Sequence, residues 1–471
     1  MSAPSGPPEL PSLLRRLSTD EYEPPPYDDT QRAAVSKVVA SGPDDAKRVS
    51  RPLADYWSSR LGTATGLLAL NESEGTRFYD VPDEGRYERA AADGALGGPE
   101  VVIDVQTHYM ADRAPLRTTA DRQLAGYRAW APDWWSGLDD VTFYGFAEYL
   151  RCVFLQSETA VAVLTAPPID ERGEWFLDND ELAGTRELFD RLAGTGRLLN
   201  HTVVHPTEPG MLDGLERWRD ELRPAGWKVY TMGHMAAPGR EELWAPGTAW
   251  MLDDEHSGLP FLERSRQLGV LNICSHKGLS GLVDNGSPRD IGPCAHLFPD
   301  LRFIVYHSGF EGTAEGPYTE ETADDGINRL ITTMRDNGIG PGGNVYAELG
   351  TTWFCLVKRP REAAHVLGKL LRWVGEDNIV WGSDSIWYGP TQPIIDAFRA
   401  FQIPDDMCAQ YGYSKLTPAI RDKILSRNGA RLYGLDVEAV RRDACSDDLA
   451  WARLALAEYN ACGFARRAGS S

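Results

Sequence analysis

The chain has 471 residues, 42% of them apolar and 25% charged, with a formal charge of −21 and a pI near 4.9. That size and balance support a sizeable buried core, and a uniformly acidic surface repels phosphate backbones, which argues against nucleic acid as a partner. No run approaches the roughly 20 continuous apolar residues that span a bilayer, so no membrane-spanning helix is expected.

Residues 1 to about 30 are rich in Pro, Ser and acids and read as a flexible arm. Residues 31 to 98 read as a polar, helical extension closing on Gly-Ala-Leu-Gly-Gly-Pro. Within it the run from Leu61 to Leu70 resembles the apolar part of an export signal, but it lies far from the N-terminus and has no small-residue cleavage pattern nearby, so it reads as a packed helix. Seven cysteines (Cys152, Cys274, Cys294, Cys355, Cys408, Cys445 and Cys462) are odd in number and form no CxxC pair. They suit a reducing cytosol better than a disulfide framework, and a cytoplasmic protein is expected.

From residue 100 short apolar runs alternate with longer amphipathic stretches, the pattern of βα units on a parallel sheet. Eight strands are predicted: Val101–Val105, Ala160–Leu164, His201–His205, Trp227–Tyr230, Val270–Cys274, Arg302–Tyr306, Asn344–Ala347 and Asn378–Trp381. Helices are predicted between them over Glu181–Leu192, Gly214–Leu222, Phe261–Leu268, Gly326–Asp336 and Glu362–Val374. Eight interleaved units predict an α/β fold, a (β/α)₈ TIM barrel over residues 99–437. It would follow the extension of residues 1–98 and precede a helical tail, residues 438–471. An open doubly wound sheet is the alternative, but it wants a Gly-rich phosphate turn after the first strand, and none is present.

The ends of these strands carry the chemistry. Gln106 and His108 follow the first, His205 ends the third, Lys228 lies on the fourth and His276-Lys277 follow the fifth. His307 follows the sixth, Glu348 the seventh and Asp384 the eighth. A single histidine after a strand is usually structural, a single lysine a surface residue and a single glutamate a cap. Convergence of all of them on one barrel mouth is the signal, and imidazoles with carboxylates suit a divalent metal. His201 and His205 read as packing and loop support, and His234, His256, His296 and His365 have no partner pattern. Trp134, Trp135, Trp353, Trp381 and Trp387 read as core, although Trp353 and Trp387 follow strands and are placed to wall an apolar pocket. Lys277 and Tyr388 adjoin ligand candidates and are placed to orient substrate or ligands.

The motifs IDVQTHY, WKVYT, SHKGL, FIVYHSGF, VYAELG, VWGSDSIWYG and KILSRNGARLYGL resemble the amidohydrolase superfamily, family 2, over roughly residues 100 to 436. The resemblance implies metal ligands at His108, Lys228 (once carboxylated by carbon dioxide), His276, His307 and Asp384, with Asp384 and His307 catalytic. Gln106 stands where the first histidine of a His-x-His pair is usual, and Glu348 is placed to compensate for its weaker amide ligand.

Three reactions share such a site. One is metal-assisted hydrolysis of a C–N, C–O or C–C bond, with Asp384 taking a proton from water; another is non-oxidative decarboxylation of an aromatic or unsaturated acid. The third is oxygen activation, because the Gln-x-His pattern is similar to amidohydrolase-fold non-haem diiron monooxygenases of platensimycin and platencin biosynthesis. That resemblance implies two irons, with zinc or manganese the alternative, and hydroxylation of a bulky apolar acid or acyl thioester in antibiotic biosynthesis. Loss of the first histidine, the extra carboxylate of Glu348 and the Trp-rich mouth tilt the sequence reading to oxygen activation. A barrel that has lost catalysis and only binds is the non-enzyme reading, against which the retained His276, His307 and Asp384 argue. A homo-oligomer is compatible with the sequence.

Overall fold

A computed structural model describes residues 10–17, 19, 24–112, 144–168, 175–234 and 244–462. Trp134 and Trp135 lie outside the described residues. The β-branched and aromatic runs form nine parallel segments: β1 (Val102–Thr107), β2 (Thr159–Leu164), β3 (Leu198–Asn200), β4 (Thr202–Val203), β5 (Trp227–Tyr230), β6 (Asn272–His276), β7 (Arg302–Tyr306), β8 (Val345–Glu348) and β9 (Ile379–Val380). β1, β2 and β3 pair as one sheet and β4 to β9 as another.

Two junctions join the sheets into a ring. β3 and β4 are halves of one barrel strand: Asn200 O accepts from Ala225 N, and Thr202 N donates to Gly226 O beside β5. On the other side Val105 N donates to Trp381 O, Asp384 N to Gln106 O and His108 N to Ser385 O. Nine segments thus make the eight strands of an α/β barrel. Parallel neighbours demand long crossovers, and helices supply them. Asn179–Ala193 opens on a capping box between Asp178 and Glu181 and stops at Gly194 in the left-handed region (φ 74°), a position where a side chain is strained.

The strand expected at His201–His205 lies earlier, over Leu198–Val203, because its apolar residues before His201 pair with β2; His205 falls beyond the strand end. The fifth barrel strand lies two residues later than Val270–Cys274, which takes His276 into the sheet.

The arm expected to be flexible is packed where it is described. Leu10, Leu13, Leu14 and Leu17 are buried in the main core, and the carbonyl of Arg15 accepts from Lys358 Nζ at 2.6 Å. Proline-rich composition signals disorder only when little apolar surface is available to bury, and these four leucines supply it. Leu61 to Leu70 are all buried in the helix Arg60–Glu74. Arg60 joins this extension to the barrel, reaching Asp396 at 3.1 Å and Glu158 at 2.6 Å, while Arg399 meets Glu100 at 3.1 Å and Glu158 at 2.5 Å. Beyond the barrel, Val437–Ser446 and Asp448–Cys462 are helical. Among the described residues no helix is long and apolar enough to cross a membrane.

Candidate metal centre

Register builds the inward face in layers. Lys228, Cys274, Ile304 and Tyr346 are strand-to-strand partners, and Tyr230, His276 and Tyr306 form the next layer toward the C-terminal ends. Lys228 Nζ lies 3.9 Å from the centre of the Tyr306 ring, a cation–π floor. The ring of Tyr230 covers His276 at 4.1 Å between centres.

A regular strand would turn Tyr306 and His307 to opposite faces. His307 instead takes φ 63°, and its ring comes to 4.5 Å from that of His276, centre to centre. The same departure recurs at the next two strand ends, at Thr351 (φ 52°) and Asp384 (φ 55°). Non-glycine residues are strained in this region, a β-branched threonine above all, and such strain clusters at functional sites.

Five of the sequence-chosen residues meet around one small cavity. Gln106, His108, Lys228, His276 and Asp384 line it with Thr165 and Pro167, leaving about 10 Å³, room for about one water-sized sphere. Gln106 Nε2 donates to Asp384 Oδ1 at 2.6 Å, and His108 Nδ1 lies 3.7 Å from the same oxygen. The other oxygen, Oδ2, accepts from Thr351 Oγ1. His307 Nδ1 is hydrogen-bonded to Gly350 O at 2.8 Å, and His276 Nε2 to Gly278 O at 3.1 Å.

His307 does not line this cavity, and neither does Glu348. Its Oε2 accepts from His307 N at 3.1 Å and its Oε1 from Gly350 N. Glycine is required beside it: a Cβ on Gly382 would stand 1.8 Å from Glu348 Oε1, and one on Gly350 would stand 2.5 Å from Gln106 Oε1.

Burial sets the charges. It lowers the imidazoles of His108 and His307 to about 3 and that of His276 well below its ordinary value, with Lys228 acting in the same direction on all three. These rings are neutral at pH 7 and keep lone pairs for a ligand. Burial also pushes the carboxyl of Asp384 up to about 7, although the Thr351 hydrogen bond and Lys228 pull it down. Asp104, invisible as a site residue in the sequence, is pushed to about 7 by burial, and its Oδ1 accepts from Ser383 N at 2.9 Å and Gln106 N at 3.3 Å.

The surrounding aromatics divide. Trp387 walls the site, its ring 5.1 Å from His108 and 5.8 Å from Phe176. Trp353 does not: it packs on Phe398 and Phe401 in the core. Trp381 likewise packs on Phe398. Lys277 is buried against Asp290 at 2.7 Å, bracing a loop, and Tyr388 stacks on Phe354 at 3.9 Å. His201 sits low in the barrel on Tyr433 and Tyr306, and His205 bonds Thr207. Neither is placed on the cavity. Thr351, Thr165, Pro167 and Phe176 were missed from the sequence; only tertiary contact reveals them.

Among the described residues no three His, Cys, Asp or Glu side chains are drawn into a closed cation cage. The donor chemistry nevertheless fits a divalent metal. His108 has no hydrogen-bond partner on either ring nitrogen among the described residues, and Gln106 Oε1 has none either, all three atoms being buried. Buried polar atoms in this state await a ligand or water.

The chain belongs to the amidohydrolase family, whose model matches residues 103–435. No curated protein matches it. Among solved structures it is similar to an uncharacterized TIM-barrel protein from Bordetella bronchiseptica, at 14% identity and a TM-score of 0.46 over 71% of this chain and 98% of that one. It is also similar to a 2,6-dihydroxybenzoate decarboxylase complexed with 2,6-dihydroxybenzoate, at 16% identity and a TM-score of 0.40, covering 71% and 100%. A third is 5-carboxyvanillate decarboxylase from Sphingomonas paucimobilis, at 15% identity and a TM-score of 0.37, covering 71% and 99%.

Proposed function

We propose that the protein is a divalent-metal-dependent hydrolase acting on a small molecule with an apolar group beside the cleaved bond. The observation that carries this reading is the meeting of His108, Lys228, His276 and Asp384, with Gln106, on one small cavity at the strand ends. His108, His276, His307 and Asp384 would hold the metal. A bound divalent cation polarises a carbonyl and brings the pKa of water from about 15.7 toward about 7. Asp384 accepts the proton at an oxygen fixed by Gln106 or Thr351. Lys228 sets a positive charge beside the reacting group, and Trp387 and Phe176 seat its apolar part and exclude water.

Non-oxidative decarboxylation is a second reading, favoured by Lys228 lining the same cavity as His108, on which Trp387 packs, a combination suited to an aromatic carboxylate. Oxygen activation by two irons rests on Gln106. The features that tilted the sequence toward it have less weight in the structure, since Glu348 is engaged by backbone N–H groups and Trp353 lies in the core.

The test is elemental analysis of protein purified without oxygen, followed by turnover of aryl amides, esters and aromatic acids with and without dioxygen. About one or two equivalents of divalent metal and turnover indifferent to dioxygen are expected; carbon dioxide release would mark the second reading. Turnover that consumes dioxygen, or full activity without metal, overturns the proposal.

A further inference from the structure

The turn Gly350-Thr351-Thr352 after β8 reaches both neighbouring strand ends. On one side Gly350 O bonds His307 Nδ1 at 2.8 Å, and Thr352 Oγ1 donates to His307 O at 3.0 Å. On the other, Thr351 Oγ1 donates to Asp384 Oδ2. None of the three lines the cavity, and Thr351 is buried with its backbone in the left-handed region. A β-branched residue is a poor choice for that backbone. Glycine would be easier there, but it offers no hydroxyl.

We propose that this turn is a two-armed brace and that Thr351 is a positioning residue, clamping the Asp384 carboxylate while Gly350 and Thr352 fix His307. The inference rests on the proposed metal site. Asp384 is gripped from two directions, by Thr351 at Oδ2 and by Gln106 at Oδ1, so its plane is set by two strands other than its own. Thr352 begins the helix Thr352–Leu356, whose Cys355 N bonds Thr351 O at 2.8 Å, which anchors the brace to a rigid element. Partners of this kind orient a ligand without touching the metal, and losing one typically costs about 10- to 100-fold in affinity.

The experiment uses the full chain and Co²⁺ as probe, comparing Thr351→Val and Thr351→Ala, which lack the hydroxyl, with Thr351→Ser, which keeps it. Both hydroxyl-free variants are expected to bind Co²⁺ about 10- to 100-fold more weakly with an altered visible spectrum, and Thr351→Ser to restore both. Crystal structures of the same variants are expected to show the Asp384 carboxylate rotated in Val and Ala and held in Ser. Folded Val and Ala variants with wild-type affinity, spectrum and Asp384 orientation overturn the brace. If the wild-type protein binds no Co²⁺, the metal reading fails, and the orientation of Asp384 in the crystals still decides the brace.

Discussion

Gln106 and Asp384 share a hydrogen bond of 2.6 Å, from the side-chain amide of the first barrel strand to the carboxylate after the last. The residue that replaces the usual first histidine is therefore a fixed donor to the proposed base. Its remaining oxygen faces Gly350, where a Cβ would stand only 2.5 Å away.

Exchanging Gln106→His offers an imidazole where an amide oxygen now stands. Imidazole is the stronger ligand for zinc, so the variant is expected to purify with a higher zinc fraction by mass spectrometry. An unchanged metal profile would separate Gln106 from metal preference and leave it only as a partner of Asp384.

Removing an imidazole should empty the site. His276→Ala and His307→Ala are each expected to lose most bound metal and all measurable turnover while keeping wild-type circular dichroism. Full metal content and activity in either would remove that residue from the ligand set.

Asp396 lies away from the cavity and gives a cleaner pH signature. Burial raises its carboxyl from 3.8 to about 6, despite the opposing pull of Arg60. A raised carboxyl favours the native state when protonated, so this stability is present below about pH 4 and is lost as pH rises through about 6. Two units correspond to about 3 kcal/mol. The stability difference between wild type and Asp396→Asn, measured by urea unfolding, should shrink by about that amount between pH 4 and pH 7. A difference flat across that range refutes the linkage.

Leu14, 2% exposed, tests the packed N-terminal segment. Leu14→Ala should cost about 2–5 kcal/mol in chemical denaturation. A cost under about 0.5 kcal/mol would mean that this leucine is not held in the core.

The barrel was legible because its strands are short, apolar and regularly spaced. Trp227–Tyr230 and Arg302–Tyr306 fall where the sequence puts them. Gln106, His108, Lys228, His276 and Asp384 were legible because strand ends in a barrel converge. Thr351 was not, since nothing in VYAELGTTW announces a left-handed threonine; its role depends on a carboxylate 33 residues later. Glu348 was placed at the correct strand end but not given its backbone donors, which come from His307 after β7 and from Gly350 in its own turn. Trp353 follows a strand as Trp387 does, yet the helix Thr352–Leu356 carries it into the core. Leu10 to Leu17 were hidden by the prolines around them, because composition reports the average of a segment and not the four residues that bury.

The ionic cluster of Arg60, Arg399, Asp396, Glu158 and Glu100 spans the boundary between the early helices and the barrel. Cutting the chain there would remove Arg60 and leave Asp396, nearly inaccessible to solvent, with only Arg399 at 3.9 Å as a counter-ion. Isolated buried charge is expensive, so a trimmed barrel inherits that penalty from its first moment of folding. The two regions should melt in one calorimetric transition, and protease should find no foothold between them.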